Sequence, residues 1–180
     1  MSGIAAAIET VGSPDQRLWV AQALSTLSSG YPDGSRTWHD DQCALGHALL
    51  RTGPFDAGDQ PLTLDGRVWI TADVRLDARE DLIHELRGRG RQVASAAPDA
   101  ALVLHAYHAW GEACLEHMAG DFAFAVRDPP AGRLFCARDH FGVSQLHYSE
   151  IGTTLLVATS ASALLAHPRG EDTVNERASA

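Results

Sequence analysis

The sequence predicts an α+β fold with mainly antiparallel sheet, and three observations carry that prediction. Strand-like and helix-like segments come in blocks rather than in strict alternation. Asp65-Gly66 stands between two short apolar runs, a hairpin signal, because Gly accepts the positive φ that a tight turn needs. From Asp121 the apolar period drops to two, with Phe122, Phe124 and Val126 alternating against Ala123, Ala125 and Arg127.

The elements follow in order. Residues 3–8, G-I-A-A-A-I, read as a first strand. Ser13, Pro14 and Gln16 look like a helix start, with Leu18, Ala21, Leu24 and Leu27 at helical spacing behind them and Gly30 as the stop. Tyr31 to Asp41 is polar and carries Pro32 and Gly34, so it is expected to be a loop. Cys43 to Leu50 reads as a strand, and Thr52 to Asp59 as turn-rich. Leu62–Leu64 and Val68–Val74 are the arms of the hairpin. Asp77 with Glu80 resembles a capping box for a helix to Leu86, and Asp99 a cap for the next helix, which Gly111 ends. A short helix is expected at Ala113–Met118. Strands at 121–127, 134–137, 146–148 and 154–158 are expected to form one meander, and 160–165 a last helical turn.

The totals fit one domain of 180 residues with an ordinary 45% hydrophobic content. A net charge of −9 argues against a nucleic-acid or anionic-membrane surface. Lys is absent, which excludes a catalytic Lys. The three Cys, at 43, 114 and 136, are scattered and odd in number, so a reduced, cytoplasmic setting is expected rather than a disulfide framework or a zinc site. No apolar run approaches the ~20 residues of a membrane span. Ser2 follows the initiator Met. Once Met1 is removed, it carries both a hydroxyl and an α-amine, the pair an N-terminal nucleophile uses.

Three stretches together resemble the amino-terminal domain of the asparagine synthetase family: M-S-G-I-A, D-Q-P-L-T-L-D-G-R-V-W-I-T-A-D-V-R-L-D, and M-A-G-D-F-A-F-A-V-R-D with L-F-C-A-R-D-H-F-G-V. The resemblance runs over roughly residues 1 to 168. It implies a four-layer αββα sandwich of the N-terminal-nucleophile hydrolase type, a class II glutamine amidotransferase domain. It further implies a working partner, an ATP-dependent synthetase domain in the same or another chain. ATP and Mg would be cofactors of that domain, and none is expected in this one. The amidotransferase-like domain is expected at 1–165, with 166–180 a tail or linker.

The same resemblance places the site residues. Ser2 stands where the family has its Cys nucleophile. Leu49 stands at the Arg that clamps the glutamine carboxylate, with Arg51 two residues on. Thr71 and Ala72 stand at the Asn-Gly oxyanion pair. Asp99 matches the Asp that grips the glutamine amine. With the nucleophile, clamp and oxyanion pair altered, the first expectation is a degenerate domain kept as scaffold for an amide-forming ligase, as in the lasso-peptide cyclase and β-lactam synthetase branch. The alternatives are an active amidohydrolase using Ser2, and a free-standing binding module in which the old glutamine pocket, now apolar at Leu49, takes another small ligand. His105, His108 and His117 lack a carboxylate or Cys that completes a metal set, so no metal site is expected. Arg138 to Gly142 is expected to be a structural turn, and Tyr107, Trp69, Trp110, Phe122 and Phe124 to be core.

Overall fold

The computed structural model describes residues 2–9, 15–51 and 59–168. In chain order its strands are β1 (Gly3–Glu9), β2 (Ser35–His39), β3 (Cys43–Ala48), β4 (Leu62–Thr63), β5 (Trp69–Leu76), β6 (Gly120–Asp128), β7 (Arg133–Arg138), β8 (His147–Ile151) and β9 (Thr154–Ala158). The helices are α1 (Asp15–Leu27), α2 (Arg79–Gly88), α3 (Asp99–Trp110) and α4 (Ala161–Leu165), with a 3-10 helix at Gly111–His117. One antiparallel sheet has the order β2-β3-β1-β9-β8, the other β4-β5-β6-β7.

Strand alternation decides what each face touches. On the first sheet Ala5, Ala7, Ala44, Ala48, Leu156 and Ala158 pack on Trp19, Val20 and Leu24 of α1 and on Ala163 of α4. The other face of that sheet, Ala6, Cys43, Leu45 and Val157, meets Ala125 of the second sheet. The second sheet turns Ile70, Ala72, Phe122, Phe124 and Val126 outward onto Leu82, Ile83 and Leu86 of α2 and Leu102, Val103 and Ala106 of α3. The layers are therefore helix, sheet, sheet, helix. Small residues on β1 and β3 let α1 sit close: a Cβ on Gly46 would stand 2.6 Å from Val20 and 3.0 Å from Leu24. Trp38 of β2 stacks on Trp69 of β5 at 4.7 Å between ring centroids, joining the two sheets at one side.

Four expectations need correction. The 31–41 segment is not all loop, because β2 pairs with β3 there. It is an exposed edge strand whose polar residues gave no alternation signal. The C-terminal strands are not one meander: β6 and β7 belong to the second sheet, and the chain then crosses to place β8 and β9 in the first. Asp77 does not cap α2, for its carboxylate pairs with Arg75 at 2.5 Å and Ala78 holds the cap position without a side-chain bond. Pro98, not Asp99, precedes α3, and Asp99 is its first residue. The hairpin at Asp65-Gly66 is present, with Leu62 opposite Ile70. Only Gly66 takes positive φ, while the Asp65 carboxylate accepts the N–H groups of Arg67 and Val68. The helix start at Ser13-Pro14, most of the turn-rich 52–59 piece and the tail from 169 on lie outside the described residues.

Candidate functional site

The period of two that builds the core also builds the site. Gly3 faces α1, so Ser2 and Ile4 face the second sheet. On β3 the same parity turns His47 inward with Cys43 and Leu45. On β5, Ile70 and Ala72 go to the helices, so Thr71 and Asp73 go to the first sheet. The end of β1 therefore meets the middle of β5.

Ser2 is buried, 7% exposed, and its backbone nitrogen and hydroxyl oxygen are both engaged. Its backbone N–H donates to Asp73 Oδ1 at 2.6 Å, and its Oγ accepts the N–H of Leu50 at 3.2 Å. Asp73 is the residue that the motif reading passed over. Thr71, assigned to the oxyanion pair, donates its hydroxyl to the Gly46 carbonyl at 3.0 Å and is fully buried. Ala72 gives its N–H to Gln60 Oε1 at 2.7 Å and takes a bond from Gln60 Nε2 at 3.0 Å. The Thr71 hydroxyl and the Ala72 N–H are thus both given to partners other than Ser2. The signal that could have found Asp73 is parity: on β5, 71 and 73 share the inward face and 72 does not.

His47 lies beside this group, 2% exposed. Burial pushes its pKa down to about 4, against the raising effect of the Ala72 carbonyl that it bonds. It is a neutral imidazole in the physiological range.

Leu49 lines a cavity of about 260 Å³ with Asp33, Arg36, His47, Arg51, Asp59 and Gln60. Leu49 is the apolar part of a wall that otherwise carries charged groups of both signs, and Arg36 pairs with Asp59 at 2.8 Å. Arg51, two residues past the clamp position, does reach this cavity. Ser2 is not among its described lining residues.

Asp99 lies on the other side of β5. Its Oδ2 accepts the N–H of Leu76 at 2.9 Å and its Oδ1 pairs with Arg79 Nη1. Arg79 also donates to the carbonyls of Ser95 and Ala97. Both side chains of the pair are about nine-tenths buried. The carboxylate is thereby committed to holding α2, α3 and the end of β5 together.

The histidine trio does not assemble. His117 stacks on Trp110 at 4.0 Å and bonds Glu85 at 2.7 Å, while His105 and His108 line a different cavity. Among the described residues no group of three or more His, Cys, Asp or Glu is placed to hold a metal ion. The Arg138–Gly142 segment is a turn in which Asp139 takes the N–H groups of Val143 and Ser144. Among the described residues no helix is long and apolar enough to cross a membrane.

A family model described as a glutamine amidotransferase domain matches residues 1–180. The chain is 38% identical over 146 residues to asparagine synthetase [glutamine-hydrolyzing] 3 of Bacillus subtilis, a match covering 79% of this chain and 24% of that protein. It is 30% identical over 164 residues to a putative asparagine synthetase [glutamine-hydrolyzing] of Mycobacterium tuberculosis, covering 81% of this chain and 24% of that one. The chain thus spans about a quarter of the length of these relatives. Its fold is similar to that of glutamine phosphoribosylpyrophosphate amidotransferase from B. subtilis, with a TM-score of 0.72 and 16% identity, over 90% of this chain and 42% of that one. At that identity the likeness shows the fold, the N-terminal-nucleophile sandwich.

Proposed function

This chain belongs to the glutamine amidotransferase domain family and is asparagine-synthetase-like, and from that premise we infer that it is a non-hydrolysing member. In this reading it serves as scaffold for an ATP-dependent amide-forming synthetase domain, in the same chain or another, in the cytoplasm. ATP and Mg would act in that domain. A lasso-peptide-cyclase-like system is the branch we favour.

One observation supports the reading above all: Asp73 Oδ1 lies 2.6 Å from the Ser2 nitrogen. Removal of Met1 would turn that nitrogen into the α-amine on which an N-terminal Ser depends for its base. A base must be neutral to accept the hydroxyl proton, and a carboxylate in contact favours the charged ammonium instead. At the oxyanion positions the Thr71 hydroxyl is given to the Gly46 carbonyl and the Ala72 N–H to Gln60 Oε1. A hydrolase needs N–H donors there, and one missing donor already costs roughly 100- to 1000-fold in rate. Leu49 adds no charge at the carboxylate-clamp position, although Arg51 lines the same cavity.

The test is intact-mass measurement of Met-processed protein after exposure to glutamine and to a glutamine-like electrophile, with ammonia release followed in parallel. Unmodified mass and no ammonia above buffer are expected. An adduct on Ser2, lost in Ser2→Ala, would sink the reading in favour of an active amidohydrolase.

A further inference from the structure

A second cavity lies far from Ser2 in the architecture, on the helix-covered side of the second sheet. It measures about 310 Å³ and is lined by Leu64 and Asp65 of the β4–β5 loop, Gly90, Arg91 and Gln92 after α2, and His105 and His108 of α3. His105 and His108 lie three apart, so they share one face of α3 and stand one turn from each other. Among the described residues, three nitrogens are shielded here without a hydrogen-bond partner: Nε of Arg91, Nδ1 of His105 and Nε2 of His108. The nearest acid, Asp65, keeps its Oδ2 3.9 Å from His108 Nε2, beyond hydrogen-bond reach.

Shielded polar atoms are costly to leave unpaired, and three together call for one acceptor-rich partner. The acids around the group give these three nitrogens no hydrogen bond. Asp65 Oδ1 accepts the N–H groups of Arg67 and Val68, and Asp128, which faces His108 from β6, accepts from Tyr107 at 2.8 Å and from the N–H of Ala131. Arg91 therefore supplies the one permanent charge on the donor side, and the imidazoles supply rotatable choice of donor. A tetrahedral oxyanion presents acceptor oxygens in more than one plane, and as a dianion it carries the second negative charge that one guanidinium and two protonatable imidazoles can meet. The volume leaves room for an organic group beyond it.

We propose that Arg91, His105 and His108 form a binding site for the phosphate group of a small phosphorylated molecule. Burial first holds both imidazole pKa values below the ordinary value in the free protein; Arg91 and then His108 add to this at His105, while at His108 Asp65 opposes it, Arg91 adds to it and Asp128 opposes it. A bound dianion opposes that shift, so the imidazoles take up protons on binding, and affinity is greatest where imidazolium and phosphate dianion coexist, near the phosphate's own second pKa of about 6.

The test is an NMR titration of the full chain, following the histidine ring resonances, with inorganic phosphate, glycerol phosphate and, at matched ionic strength, acetate. Saturable shifts of His105 and His108 together with both phosphate compounds, and not with acetate, are expected. The exposed His39 and His84 should stay put. Arg91→Gln should weaken binding about ten- to a hundredfold, the loss of one charge-assisted hydrogen bond. If that variant does not fold, His105→Asn is read the same way. No saturable shift, an equal response in Arg91→Gln, an equal response to acetate, or a response to zinc alone would each overturn the proposal.

Discussion

Two polar groups flank β5, and they are built on opposite principles. On the side between the sheets, the Ser2 N–H is bonded to Asp73, while Thr71 and the neutral imidazole of His47 bond the backbone of neighbouring strands. On the helix side, Asp99 and Arg79 form a buried ion pair that reaches two helices and the strand end. The first group occupies the position that the asparagine synthetase resemblance assigns to chemistry. The second contains Asp99, which the same resemblance assigns to substrate, yet its carboxylate holds secondary structure together. What an acid does here is set by the partner its backbone brings, and a matching position in a motif does not fix that partner.

The sharpest way to break the comparison is Arg79→Leu. It strands Asp99 as an unpaired buried charge and should cost about 3–5 kcal/mol, read by urea unfolding. Arg79→Leu with Asp99→Leu should recover part of that loss, since the two share one interaction. Full additivity would show that the pair is not coupled. Next in size is the acid limb. His47 titrates near 4 in the folded chain and near its ordinary value when unfolded. Between those values the unfolded state binds the extra proton. Stability is then complete above about pH 6.5 and falls by about 3 kcal/mol as pH drops toward 4. His47→Gln should flatten that window in pH-dependent thermal unfolding. Smallest is Asp73→Asn in Met-processed protein. It removes the negative charge from the Ser2 amine and should raise that amine's reactivity toward an acylating reagent at neutral pH about tenfold. No change would mean that Asp73 does not govern the amine.

The sequence made the sandwich legible because its cores are periodic. Phe122, Phe124 and Val126 on one face of β6, and Ala123 and Ala125 on the other, carry the four layers in their alternation. What stayed hidden had no apolar period. β2 is exposed and polar, and only its pairing with β3 makes it a strand. The switch of sheets between β7 and β8 leaves no local mark, because both are short antiparallel strands. At the site, Ser2 and Leu49 were legible as departures from a motif. Asp73 was not, since a motif counts along the chain while a strand alternates across it. Asp77 and Asp99 carried good capping chemistry, but Arg75 and Arg79, each close in sequence or space, took their carboxylates first.

The stacked pair Trp38 and Trp69 has a consequence of its own. The two indoles belong to different sheets and lie 4.7 Å apart with planes 18° from parallel. At that spacing their excited states mix, and the mixing vanishes once the rings separate. The chain thus carries an intrinsic optical gauge of the seam between its sheets. An exciton signature in circular dichroism distinguishes sheets that have merely formed from sheets that have closed on each other, which is the step that brings Asp73 to Ser2.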